Sequence, residues 1–176
     1  YPCTEGNPRS PQTTVYDGSP KELGSEIVTT NAGFDSATTG WTGVSATLSS
    51  DAGGQSGNML TVTNTATQGY AKNSSALTTV AGKVYKCTFY FKKGTGASAN
   101  VGISTNAGAS ELGELNPLTD ADWTQHTLYF TAADTTTHIR LMNNSTTVGH
   151  TSLFDTISIK EVQMGNHGTT TFYGDE

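Results

Sequence analysis

Four acids stand in two close pairs: Glu111 and Glu114 in ELGEL, and Asp120 and Asp122 in TDAD. Glycoside hydrolysis needs two carboxylates facing each other across a sugar cleft. Closeness along the chain does not supply that geometry, and both pairs sit in polar, loop-like stretches, so they read as solvated acids. His126, His138, His150 and His167 show neither HxxxH nor HExxH spacing, which argues against zinc. There is no GxSxG elbow and no phosphate-binding glycine loop. The sequence therefore holds no catalytic constellation, and a non-enzymatic role is expected. Cys3 and Cys87 leave two readings open: a disulfide, or Cys87 as a small buried apolar residue.

Binding chemistry is better represented. Asp35 follows the first expected strand, Asp51 lies in DAGGQSGN, read as a loop, and Asp155 interrupts the last strand within LFDTISI, between residues suited to a core. A buried, unpaired carboxylate is costly. A cation, a backbone N–H partner or exposure must resolve that cost, and Ca²⁺ takes oxygen ligands of this kind. Saccharides present apolar CH faces and a rim of hydroxyls, so they call for flat aromatics beside amides and charged groups. Strand alternation turns Tyr90 outward if Phe89 and Phe91 turn in. The same logic turns Gln125 and Tyr129 outward around Leu128 and Phe130, and Arg140 outward between Ile139 and Leu141. Tyr70, in QGYAKN, is a further candidate. Trp41 and Trp123 adjoin strand starts and are expected to anchor the core.

The elements that would hold these residues are short strands. Residues 84–92, VYKCTFYFK, place Tyr85, Cys87, Phe89 and Phe91 on one side, and Lys86, Thr88, Tyr90 and Lys92 on the other. Residues 58–63, 124–130, 138–142 and 153–160 repeat the style, and a short strand is expected to begin at Ile27-Val28. Val, Ile, Thr, Tyr and Phe suit a half-buried pleated surface, and period-two alternation between Gly, Asn, Ser and Asp clusters marks antiparallel strands. The expected fold is all-β, a sandwich or barrel without amphipathic helices. Residues 107–119, AGASELGELNPLT, read as a loop.

The chain has 176 residues, 14% charged, with a formal net charge of −6. That length fits one domain. The acidic balance argues against nucleic acid, which needs clustered Lys and Arg. No apolar run is long enough to span a membrane, so a soluble chain is expected. Residues 1–24 hold four of the five prolines and read as an extended arm; 25–162 form the domain, and 163–176 an exit arm. The start at Tyr1 suggests a processed form or an excised piece.

In order, NAGFD, GW, SGNMLTVT, AGKVYKCTFYFK, DWTQHTLYF, THIRL and LFDTISIKEV resemble the family 4/9/22-type carbohydrate-binding modules, over about 25–162. The resemblance implies a galactose-binding-like jelly roll: an antiparallel β-sandwich that binds glycan on the concave face of one sheet without modifying it. It implies Tyr90, Gln125, Tyr129 and Arg140 as outward positions on the matching strands. It also implies a structural calcium held by Asp35 and Asp155, with oxygens added near Ser56 or Asn58. Here Asp replaces the Glu common at the first position, and Tyr90 replaces the usual Trp on the binding strand.

The flanks VYDGSPKELGSE and KEVQMGNHGTTTFYGDE resemble junctions in modular virion proteins of tailed phages. That implies an extracellular or virion location, neighbouring domains or subunits as partners, and adhesion to glycans. Binding by a shallow sheet face would be weak, on the order of millimolar to micromolar, and strengthened by multivalent display. The rival reading is a structural or assembly jelly roll without glycan binding, its arms gripping neighbouring subunits.

Overall fold

Twelve strands account for the regular structure of the computed structural model, which describes residues 22–35 and 37–163. They are β1 (Leu23–Glu26), β2 (Trp41–Val44), β3 (Ala46–Ala52), β4 (Asn58–Asn64), β5 (Tyr70–Asn73), β6 (Leu77–Thr78), β7 (Val84–Lys93), β8 (Ala99–Ser104), β9 (Gly113–Leu118), β10 (Thr124–Thr131), β11 (Thr136–Asn143) and β12 (Thr151–Val162). All pairings are antiparallel. One sheet runs β10-β7-β12-β4-β3, with β1 added on β12. The other runs β2-β5-β11-β8-β9, with β6 added on β11. The two form the expected jelly-roll sandwich, in a compact unit spanning Leu23–Val162. No helix among the described residues is long and apolar enough to cross a membrane.

Alternation does the sorting. On β7, Tyr85, Cys87, Phe89 and Phe91 are buried, while the residues between them are half-buried on the outer face. Phe91 meets Phe154 of β12 at 5.4 Å, and Tyr85 stacks on Phe130 of β10 at 5.5 Å. Ile139 and Leu141 of β11 and Val101 and Ile103 of β8 oppose them from the other sheet and are wholly buried. Burying each such side chain contributes about 1.5–3 kcal/mol. Trp41 is in the core as expected, against Phe34.

Four local expectations change. The first strand does not begin at Ile27-Val28 but runs Leu23–Glu26 and stops just before them, where the Glu26 carboxylate accepts the Val28 and Ile159 N–H groups and turns the chain. β1 takes in Leu23 and Gly24, the last residues of the expected N-terminal arm; residues 1–21 of that arm, Cys3 among them, and 164–176 lie outside the described residues. Residues 113–118, read as loop, form β9, an edge strand where Pro117 has no ladder bond to break. Trp123 is not in the core: it is half-buried, and its indole N–H donates to the Gly53 carbonyl at 3.2 Å. Cys87 is a free thiol in the core; burial first, then the charge of Glu26, pushes its pKa up to about 12.

Candidate functional site

The five residues singled out for sugar binding divide between the sheets. Tyr90 sits on β7, and Gln125 and Tyr129 on β10 of the first sheet. Tyr70 sits on β5 and Arg140 on β11 of the second. All five belong to outer faces, so one saccharide cannot meet both groups.

On the second sheet the loop 105–112 folds back over β8. A Cβ on Gly102 would lie 2.6 Å from the Ser110 Cβ, and a Cβ on Gly108 would lie 2.5 Å from the Tyr70 hydroxyl. Arg140 holds that loop from beneath. Its guanidinium donates to the Gly108 carbonyl at 2.7 Å, to Asn100 Oδ1 at 3.1 Å and to Glu114 Oε1 at 3.0 Å. Asn100 in turn donates to Glu114 at 2.7 Å. Glu111 Oε1 accepts the backbone N–H and the hydroxyl of Thr105, both at 2.6 Å. The hydroxyl is the main reason its carboxyl stays below the ordinary value. Glu111 and Glu114 are thus not merely solvated acids: Glu111 ties the loop to Thr105, and Glu114 pairs with Arg140, which holds the loop. Arg140 is committed to structure, and Tyr70 lies under the Gly108 turn.

The first sheet leaves its outer face open. Antiparallel register sets Tyr90 directly opposite Gln125, Thr88 opposite Thr127, and Lys86 opposite Tyr129. Tyr129 is 57% exposed, the kind of flat, wet aromatic that sugar stacking needs. On the other side of β7, Asp155, Ser158 and Lys160 of β12 are in register with Tyr90, Thr88 and Lys86. A shallow depression of about 190 Å³, lined by Leu23, Lys86, Thr88, Gln125, Ser158 and Lys160, lies on this face. Of the expected sugar contacts, this surface brings together Tyr90, Gln125 and Tyr129. Lys86, Thr88, Ser158 and Lys160 went unselected, although the alternation of 84–92 had already put Lys86 and Thr88 on the Tyr90 side.

The four residues expected around calcium do converge. The turn at 53–58 lies between Asp35 and Asp155: a Cβ on Gly57 would sit 2.1 Å from Asp35 Oδ1, and one on Gly54 would sit 2.7 Å from Asp155 Oδ2. Asp155 is fully buried and accepts the backbone N–H of Ser56 at 2.9 Å and of Thr156 at 2.6 Å. Asp35, exposed, accepts the Asn58 N–H at 3.0 Å. The contacts seen from Ser56 and Asn58 are therefore N–H donors, not oxygens. Of the three ways to resolve the cost of Asp155, backbone hydrogen bonding is present and exposure is not. Each carboxylate oxygen keeps a further lone pair beyond these bonds, so the donor chemistry remains compatible with calcium. Among the described residues no group of three or more His, Cys, Asp or Glu side chains gathers to hold a metal.

No protein-family model matches the chain, and no curated protein sequence does. Solved structures do share the fold. The CBM22-1 xylan-binding domain of Paenibacillus barcinonensis Xyn10C is 18% identical, with a TM-score of 0.59 over 84% of this chain and 99% of that one. The Stig cyclase FisC from Fischerella sp. TAU is 13% identical, with a TM-score of 0.61 over 81% of this chain and 99% of that one. The enzymatically active domain of bacteriophage CBA120 tailspike protein 4 is 10% identical, with a TM-score of 0.59 over 77% of this chain and 21% of that one. A xylan binder, a cyclase and a tailspike on one fold establish the jelly roll; function has to be argued from the site.

Proposed function

We propose that this domain binds carbohydrate without modifying it, on the outer face of the sheet that carries β7 and β10. The observation that supports this most is the row of Tyr90, Gln125 and Tyr129, with Tyr129 57% exposed on an otherwise hydroxyl-rich and amide-rich surface. That a neighbour of the same fold is a xylan-binding domain supports the reading. The carboxylates that would be needed for hydrolysis, Glu111 and Glu114, are tied to Thr105, Asn100 and Arg140. Tyr70 and Arg140, packed under the loop 105–112, are not part of the proposed surface.

A polysaccharide panel in affinity electrophoresis tests the proposal. Retardation that is saturable and at least tenfold weaker in Tyr129→Ala supports it, as does the absence of released reducing ends. Unretarded migration on every polymer, or retention that Tyr129→Ala and Gln125→Ala leave unchanged, refutes it.

Two further parts go with the proposal. A structural calcium would be held by Asp35 and Asp155 beside the turn carrying Ser56 and Asn58. An extracellular or virion location would let such a domain meet glycan polymers, and recovery of the chain from purified particles or culture medium would test it.

A further inference from the structure

The outer face of the first sheet carries a charge arrangement that strand packing alone disfavours. Lys86 on β7 stands directly opposite Lys160 on β12. Like charges in directly opposed positions destabilise a sheet, and the chain as a whole is acidic, at −6. The nearby carboxylates are engaged elsewhere. Glu26, in register with Lys160 from β1, accepts the N–H groups of Val28 and Ile159 and the Ser158 hydroxyl. Glu161 pairs with Lys83 at 3.2 Å. Among the described residues, neither Lys86 nor Lys160 has a carboxylate within salt-bridge distance. Lys86 and Lys160 line the same depression with Gln125 and Thr88. Tyr129 continues the row on the far side of Lys86. Neighbouring strands lie about 5 Å apart, so aromatic, first ammonium and second ammonium stand in sequence across three strands, room for a disaccharide.

We propose that the glycan this face takes is acidic: a sugar ring rests on Tyr129, and a carboxylate or sulfate on the same or the next residue is seated between Lys86 and Lys160. This rests on the carbohydrate-binding reading above and narrows it. The anion would relieve the repulsion between the lysines, and the Thr88 hydroxyl and Gln125 amide would donate to its remaining oxygens. Binding would weaken with salt, because both charges lie on an open face.

The test is titration calorimetry of the purified chain with oligogalacturonate, a chondroitin sulfate oligosaccharide and neutral xylo- and cello-oligosaccharides of equal length. Inorganic sulfate runs as the free-anion arm, and each arm is repeated at low and high NaCl. Lys86→Gln and Lys160→Gln are measured alongside, with thermal melting as the folding control. The expected result is selective binding of an acidic oligosaccharide, weaker by about tenfold in each variant, the lower end for a charge-assisted contact. Melting temperatures should hold or rise, since each substitution removes a like-charge contact. Preference for oligogalacturonate would show that a carboxylate suffices, and preference for chondroitin sulfate, which carries both carboxylate and sulfate, would show that sulfate adds to it; either supports the proposal. Binding of neutral oligosaccharides alone would overturn this inference and leave the broader reading standing. Acidic binding indifferent to both lysines, or matched by inorganic sulfate at equal concentration, would also overturn it. No binding in any arm would remove both.

Discussion

Asp155→Ala gives the sharpest test of how the turn at 53–58 is held. The carboxylate is inaccessible to solvent and receives two backbone N–H groups, Ser56 at 2.9 Å and Thr156 at 2.6 Å. Hydrogen bonds to a charged group contribute about 1.5–3 kcal/mol each, so the pair sets a gross loss of about 3–6 kcal/mol. Ser56 lies in an exposed turn, where water can replace its lost partner, which brings the expected net loss to about 2–4 kcal/mol. For a domain of this size each kcal/mol moves the melting temperature by about 3 °C, so calorimetry should show a fall of about 10 °C. Asp155→Asn keeps one acceptor but turns an NH₂ toward the other N–H, so it should recover less than half of that. Asp35→Ala, which loses one bond from an exposed carboxylate, should cost no more than about 1 kcal/mol. If calcium is held there, a chelator lowers the melting temperature of the native chain by mass action and has no effect on Asp155→Ala. A drop below about 1 °C for Asp155→Ala would refute the whole account of the turn, with or without metal.

Arg140→Ala should release the loop 105–112, raising its amide exchange and costing about 2–3 kcal/mol for the lost charged hydrogen bonds, while glycan affinity stays within twofold; a large loss of affinity would move the binding face to the other sheet. Cys87, with its thiol pushed up to about 12 and fully buried, should resist a thiol reagent at pH 8 until denaturant is added, and reaction at the rate of a free thiol would contradict its place in the core. His138 is held below its ordinary value of 6.5, first by burial and then by the charge of Lys72. The unfolded chain therefore binds that proton more readily than the folded one, and stability is full above pH 6.5 and declines as pH falls below it. His138→Gln should flatten that part of the stability profile, and an unchanged slope would place its origin elsewhere.

How much was legible in the sequence follows from how each strand is buried. β7, β10, β11 and β12 show period two because one face is core and the other is partly wet, and their outward residues could be named in advance. β8 is buried on both faces, by the opposite sheet and by the loop 105–112, so ANVGIS carries no alternation to detect. β3 and β9 are edge strands with little apolar burial, and their Ser, Thr, Asn and Pro imitate loop composition. Adjoining a strand start puts Trp41 in the core but not Trp123: Trp41 is itself the first residue of β2, whereas Trp123 lies one residue before β10 at a sheet edge, where it is half-buried and reaches Gly53 instead. Alternation also says which way a side chain points, but not which sheet it belongs to. Arg140 and Tyr129 were therefore grouped although they occupy opposite surfaces.

That division is what decides where ligand chemistry is available. A two-sheet sandwich has two outer faces, and its binding surface is whichever one the connections leave uncovered. Here the loop 105–112 closes over β8 and consumes Arg140, Asn100 and Glu114 in holding itself down. Most of the hydrogen-bonding groups suited to a sugar on that sheet are thereby engaged, Arg140 Nε being buried without a partner. Among the described residues no such lid lies over β7 and β10: Tyr129 is exposed, and Lys86 and Lys160 stand in register without a carboxylate within salt-bridge distance. Removing the lid should therefore not create a second site of equal strength. An Arg140→Ala chain with a loosened loop would uncover Tyr70 beside Asn100 and Glu114, but without the guanidinium among them, whereas the β7–β10 face keeps Tyr129 together with Gln125 and Lys86.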